Sequence, residues 1–146
     1  MLRLKDVMHS PVLTIEADKA VHEAAHIMSV NNVGCLIVTT EGKPVGIVTE
    51  RDILKKIVAP CRDPEAVKVS EIMSKPLITG EPDMDILYAA RLMVRRNVKR
   101  LPVMDNGKLV GIVTLTDLIR AYPEIIEALE IAVSELPRRF RKWFRK

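Results

Sequence analysis

The amino-acid sequence predicts an α/β fold made of two tandem β-α-β-β-α units packed as one module with pseudo-two-fold symmetry. Three observations carry that prediction. The frame Gly-Ile-Val-Thr-x-x-Asp stands at residues 46–52 and again at 111–117. Sliding the chain by 65 residues aligns 6–57 with 71–122 without a gap, and 20 of those 52 positions are identical, the mark of an internal repeat. A single copy of this size, with two or three strands, is a poor domain alone, whereas two copies can bury each other's sheets.

Each copy reads the same way. It opens on an extended stretch, residues 12–18 in the first and 77–83 in the second. An amphipathic helix follows, over 20–30 and 85–96, with Ala24, Ile27 and Met28 at helical spacing on one face. Next come a strand (35–40 and 100–105), a turn carrying Gly42-Lys43 or Gly107-Lys108, and a second strand with the shared letters Val-Gly-Ile-Val-Thr. A last helix starts near Glu50 or Leu115, and Pro60 and Pro123 stand where it should end. The boundaries that result are a first repeat at 1–60, a linker at 61–70, a second repeat at 71–122 and a basic helical tail at 123–146.

Composition narrows the function. Of the 146 residues, 48% are apolar, enough for a sizeable core, yet no apolar run approaches membrane-spanning length. The first ten residues contain no apolar signal core, so a cytoplasmic protein is expected. Cys35 and Cys61 match no metal spacing and are read as reduced. Glutamine is absent while Lys, Arg and Glu are plentiful, a composition that leans towards a thermophile. The net charge is +4, but residues 137–146 alone carry six basic side chains and no acid, so the other 136 residues sum to −2. The body therefore offers no broad footprint for nucleic acid.

The repeated frame has two physical readings. A Thr followed three residues later by an acid describes a helix capping box, and on spacing alone capping is the commoner explanation. The same geometry suits a ligand. Helix N-termini present unpaired N–H groups to phosphate, and an ionised Asp can accept from two ribose hydroxyls. Gly46 and Gly111 would let a ligand come close to the strand.

Taken with the upstream Asp-Val-Met-x-x-Pro and Thr-x-x-x-Asp letters, this unit resembles a CBS domain, and two in tandem resemble a Bateman module. The resemblance covers about residues 4–122. It implies a non-enzymatic regulatory module that binds an adenosine nucleotide such as AMP, ADP or ATP, or another adenosyl compound, in clefts between the repeats. It further implies that the frame's Asp holds ribose, that its Thr meets sugar or phosphate, and that a basic pair in the partner repeat holds phosphate. Carried onto this chain, Thr49, Arg51 and Asp52 would work with Lys99 and Arg100, with adenine near Met8, Val12 and Val33. Thr114, Thr116 and Asp117 would face Gly34 and Cys35, which replace the basic pair, so that cleft keeps a ribose anchor and loses a phosphate clamp. By itself, and without the resemblance, the Lys99–Arg100 pair reads as a solvated helix end whose cations complement the dipole.

The resemblance also implies a homodimer with helices face to face, reporting to an unidentified protein partner, and no cofactor. His22 and His26 are four apart, a metal-capable spacing, but an exposed helix face explains them better. No nucleophile–base set or phosphate loop of the Walker type is present. The stretch before the tail puts Ile125, Leu129, Ala132 and Leu136 on one stripe, and Pro137 bends or breaks the join. Beyond it, Phe140, Trp143 and Phe144 are interleaved with the basic residues, so nucleic acid or a membrane surface is a partner only through 137–146. The alternative function is thus a structural or polyanion-binding adaptor acting through that tail.

Overall fold

The computed structural model describes residues 1–134; the expectations for Leu136, Pro137 and the basic aromatic residues beyond lie outside the described residues. The elements in chain order are α1 (Leu4–Val7), β1 (Thr14–Glu16), α2 (Val21–Asn31), β2 (Cys35–Thr40), β3 (Lys43–Thr49), α3 (Glu50–Ile53), α4 (Val69–Ile72), α5 (Ile86–Arg96), β4 (Arg100–Asp105), β5 (Lys108–Thr114), α6 (Leu115–Ala121) and α7 (Ile125–Ser134). After α3 the helix continues as a π-helical segment, Leu54–Val58. The expected helices and strands are present within about two residues of their anticipated limits, except that the extended stretch expected at 77–83 forms no strand beyond one bridge at Gly80.

Local chemistry explains the limits. Both long helices stop at an Asn in the left-handed conformation, Asn32 at φ 53° and Asn97 at φ 56°. Asn tolerates that conformation better than most residues, which accounts for its identity in both copies. Each hairpin turns on two consecutive residues of positive φ, Glu41-Gly42 and Asn106-Gly107, the geometry that matches strand twist.

The chain divides into two compact units, and these cut across the sequence repeats. One unit is Val12–Leu77; the other joins Met1–Pro11 to the chain from Ile78 onwards. In the first, β1 lies parallel to β2, and β2 pairs antiparallel with β3. In the second, β4 and β5 pair antiparallel, and Gly80 makes a single parallel bridge to Val103. The stretch equivalent to β1 is shorter there, and Gly80 and Pro82 sit within it: Gly is weak in strands and Pro has no N–H to donate.

The opening segments are what cross. Leu4 N–H donates to Met84 carbonyl at 2.9 Å and Lys5 N–H to Pro82 carbonyl at 3.0 Å. Sixty-five residues later the same bonds recur, Val69 to Lys19 at 2.8 Å and Ser70 to Ala17 at 2.9 Å. The stretch expected as a linker, 61–70, thus carries structure: Val67 and Val69 are buried in the core with Leu36 and Val48. Leu4 is correspondingly buried with Met93, Leu101 and Val103.

Candidate ligand-binding site

The two Thr-x-x-Asp turns are built alike. At the end of β3 the Asp52 N–H donates to Thr49 Oγ1 at 3.2 Å, while the Thr49 N–H and hydroxyl donate to Asp52 Oδ2 at 3.0 and 3.1 Å. At the end of β5 the Asp117 N–H donates to Thr114 Oγ1 at 3.0 Å and the Thr114 N–H donates to Asp117 Oδ2 at 2.9 Å. Both are capping boxes, so the capping reading holds. It does not exhaust the carboxylates. Capping uses Oδ2 in each case and leaves Oδ1 pointed elsewhere.

The two Oδ1 atoms meet different groups. Lys56 Nζ stands 3.2 Å from Asp52 Oδ1, one helical turn away, and the Ser74 hydroxyl donates to it at 3.4 Å. Lys56 also donates to the Ile72 carbonyl at 2.8 Å, which fixes the ammonium in place. At the other turn His9 Nε2 stands 3.2 Å from Asp117 Oδ1. His9 and Ser74 are the same position of the repeat, each pinned to the adjoining strand by a pair of backbone bonds, His9 to Ile112 at 2.9 and 3.0 Å and Ser74 to Ile47 at 2.8 and 3.1 Å. Lys56 has Ala121 as its counterpart. His9, Lys56 and Ser74 were not among the expected site residues. The repeat alignment was the signal available, since it marks 9/74 and 56/121 as positions where the copies diverge.

Gly46 and Gly111 have a role different from the one expected. A Cβ on Gly46 would stand 2.9 Å from the Ser74 carbonyl oxygen and 2.8 Å from Met73 Sδ, and one on Gly111 would collide with Met8. The strand is approached by the chain's own opening segment, and lack of a side chain makes that docking sterically feasible. Met8 accordingly lies in the unit of Asp117, and Met73 takes its place in the unit of Asp52.

The remaining expected residues fall as follows. Cys35 pairs in register with Thr49, and Arg100 with Thr114. Arg51 and Thr116 are exposed on the first turns of α3 and α6, and Lys99 is exposed beside a half-buried Arg100. Val12 and Val33 are half-buried. His22 and His26 are exposed, and no group of three or more metal-capable side chains occurs among the described residues. No helix among them is long and apolar enough to cross a membrane.

The surroundings of Asp117 shift its titration. Burial pushes the Asp117 carboxyl up, but hydrogen bonds from the Thr114 backbone, from His9 and from the Thr114 hydroxyl outweigh it and hold the group below its ordinary value. A depressed carboxyl stabilises the fold at pH above its unfolded value, about 3.9, and that contribution is lost as pH falls through the folded value. Asp117→Asn should therefore show a shallower acid limb than the wild type when melting temperature is followed from pH 5 downwards. Equal limbs would remove Asp117 from the acid response.

The sequence model of the CBS domain matches residues 4–59 and 69–124. The chain belongs to the CBS domain family. It carries two CBS domains in tandem, and its α/β fold is that of the CBS-pair structures it resembles. An uncharacterised protein of Methanopyrus kandleri is 37% identical over 127 residues, spanning 86% of this chain and 65% of that protein. The hexameric CBS-CP12 protein from bloom-forming cyanobacteria is 34% identical, with a TM-score of 0.77, over 87% of this chain and 74% of that one. The CBS domain pair of protein MJ0100, solved in complex with 5′-methylthioadenosine and S-adenosyl-L-methionine, is 30% identical, with a TM-score of 0.74, over 84% and 97%.

Proposed function

We propose that this CBS pair is a non-enzymatic sensor of an adenosine nucleotide or related adenosyl ligand, and that it passes the bound state to a protein partner. The observation that carries the reading is the Asp52 carboxylate: its side chain is 11% exposed, tied down through Oδ2, and turned through Oδ1 towards Lys56 and Ser74. A buried acid beside a helix N-terminus and a fixed ammonium is suited to accept from a ribose hydroxyl. In this reading Asp52 and Asp117 are the ribose anchors, and Thr49, Thr114 and Thr116 serve sugar or phosphate. Arg51, Lys99 and Arg100 are the phosphate cations, and Met8, Val12, Val33 and Cys35 line the ligand's apolar side. The adenosyl ligands of the MJ0100 pair support the ligand class, and the hexameric CBS-CP12 protein supports self-association.

The test is a thermal-shift panel of AMP, ADP, ATP, S-adenosylmethionine, 5′-methylthioadenosine and NAD. A ligand at 100 times its dissociation constant should add about 2.7 kcal/mol of stability; no shift with any of the six would remove the reading. A finer outcome concerns phosphate. Replacing Lys99 and Arg100 with Gly and Cys, the residues of the other copy, should erase any preference for AMP over adenosine. Titration calorimetry giving an unchanged AMP-to-adenosine ratio would move the phosphate elsewhere.

A further inference from the structure

Each of the two repeated carboxylates gives one oxygen to its cap and the other to a neighbour, and in one copy that neighbour is a group that can change its charge. His9 Nε2 stands 3.2 Å from Asp117 Oδ1. Two backbone bonds to Ile112, at 2.9 and 3.0 Å, hold the residue against strand β5 beside the turn. The imidazole is 69% exposed and so exchanges protons with solvent, whereas the carboxylate it meets is only 14% exposed. Asp117 is the charged group that pairs with it. The other ionisable side chains on the elements around it, Lys5 and Asp6 on α1, Arg100 and Asp105 on β4, Lys108 on β5 and Arg120 on α6, form no ion pair with it. At the other carboxylate the same repeat position is Ser74, whose hydroxyl lies 3.4 Å from Asp52 Oδ1, and the Lys56 ammonium stands 3.2 Å away. Of imidazole, hydroxyl and ammonium, only imidazole ordinarily changes charge between pH 5 and 8.

We propose that His9 is the specificity-determining residue of the Asp117 site and makes ligand capture there depend on pH. A ribose diol brings two hydroxyl donors, and an ionised carboxylate receives them on its oxygens. Asp117 Oδ2 already accepts from the Thr114 N–H at 2.9 Å, so a diol must draw on Oδ1. A protonated His9 holds that oxygen as an ion pair, which the diol has to displace. A neutral His9 gives at most an ordinary hydrogen bond, roughly half as strong. The Asp117 site is thus closed in mild acid and open above it, while the Asp52 site takes its ligand alike at both. The inference rests on the ribose-anchor reading of the two carboxylates and adds to it a division of labour: one anchor that responds to ligand alone, and one that responds to ligand and pH together.

The test begins without ligand. Carbon-13 NMR of the Asp117 carboxyl should show its titration moving upward in His9→Ser, which installs the residue of the other copy, because the bond from His9 is one of those that hold the group low. An unmoved titration would mean that the pair does not form in solution and would overturn the proposal. Binding is then read by titration calorimetry with 5′-methylthioadenosine, which carries the diol and no phosphate. In the Asp52→Ala chain, affinity at about pH 8 should exceed that at about pH 5.5 by roughly fivefold, the difference between a charged and a neutral hydrogen bond. Adding His9→Ser should make the two affinities equal by raising the one in acid. No pH ratio in the Asp52→Ala chain, a ratio that persists without His9, or an Asp52→Ala chain that binds at neither pH while the wild type binds would each overturn this proposal and leave the Asp52 anchor standing. A wild-type chain that fails to bind this probe at either pH would overturn the proposal too, and the six-ligand panel then decides whether the nucleotide reading falls with it.

Discussion

Leu4→Ala is expected to cost about 2–5 kcal/mol of folding stability, the range for removing a buried leucine side chain from a packed core. Leu4 is fully buried with Met93, Leu101 and Val103, and its Cδ1 would stand 2.7 Å from a Cβ on Gly80. The cavity left by alanine is walled by helix α5 and strand β4, neither of which can collapse freely into it. Lys5→Ala is the control, since Lys5 is exposed and its pair with Asp83 lies in solvent, where ion pairs add little to stability. Urea denaturation of both variants gives the comparison. A loss at Leu4 no larger than that at Lys5 would mean the opening segment is not part of the core.

Asp52→Ala is expected to weaken adenosine-nucleotide binding by about 1.5–3 kcal/mol, the scale of a hydrogen bond to a charged group. Titration calorimetry measures this directly. Asp117→Ala should do less. Both Oδ1 atoms have partners, but only Asp52 has an ammonium beside it that can also meet ligand phosphate; the counterpart of Lys56 near Asp117 is Ala121. Equal losses at the two positions, or none at Asp52, would contradict the proposed division. Each substitution also removes half of a capping box, so the ligand-free variants should lose about 1 kcal/mol of stability. Melting curves without ligand separate that loss from the binding effect. Lys56→Ala gives a second handle: it removes the ammonium from Asp52 and leaves the cap bonds to Thr49 in place.

Much of the molecule could be read from its sequence. A shift of 65 residues exposed the duplication, and the identities it collected each have a local cause. Asn32 and Asn97 end helices in a left-handed turn, Gly42 and Gly107 close hairpins, and Thr49-Asp52 and Thr114-Asp117 cap helices. Such features depend on a few consecutive residues, so spacing suffices to find them. The candidate carboxylates were legible for the same reason.

The neighbours of those carboxylates were decided by the tertiary structure. Segments 2–9 and 67–74 are equivalent, and each can make the same backbone bonds to the same kind of surface. Local pattern therefore does not say which copy of a duplicated surface a segment docks on. In the folded chain each opening segment joins the unit containing the other repeat's strands and helices, and this brings His9 to Asp117 and Ser74 to Asp52. The place of α7 was likewise set beyond local pattern. The apolar stripe of Ile125 and Leu129 predicted a helix with one buried face, but only packing determined that this face joins the second copy's core with Ala90, Met93 and Leu118. Periodicity reports that a face must be buried; the partner that buries it is a property of the three-dimensional arrangement.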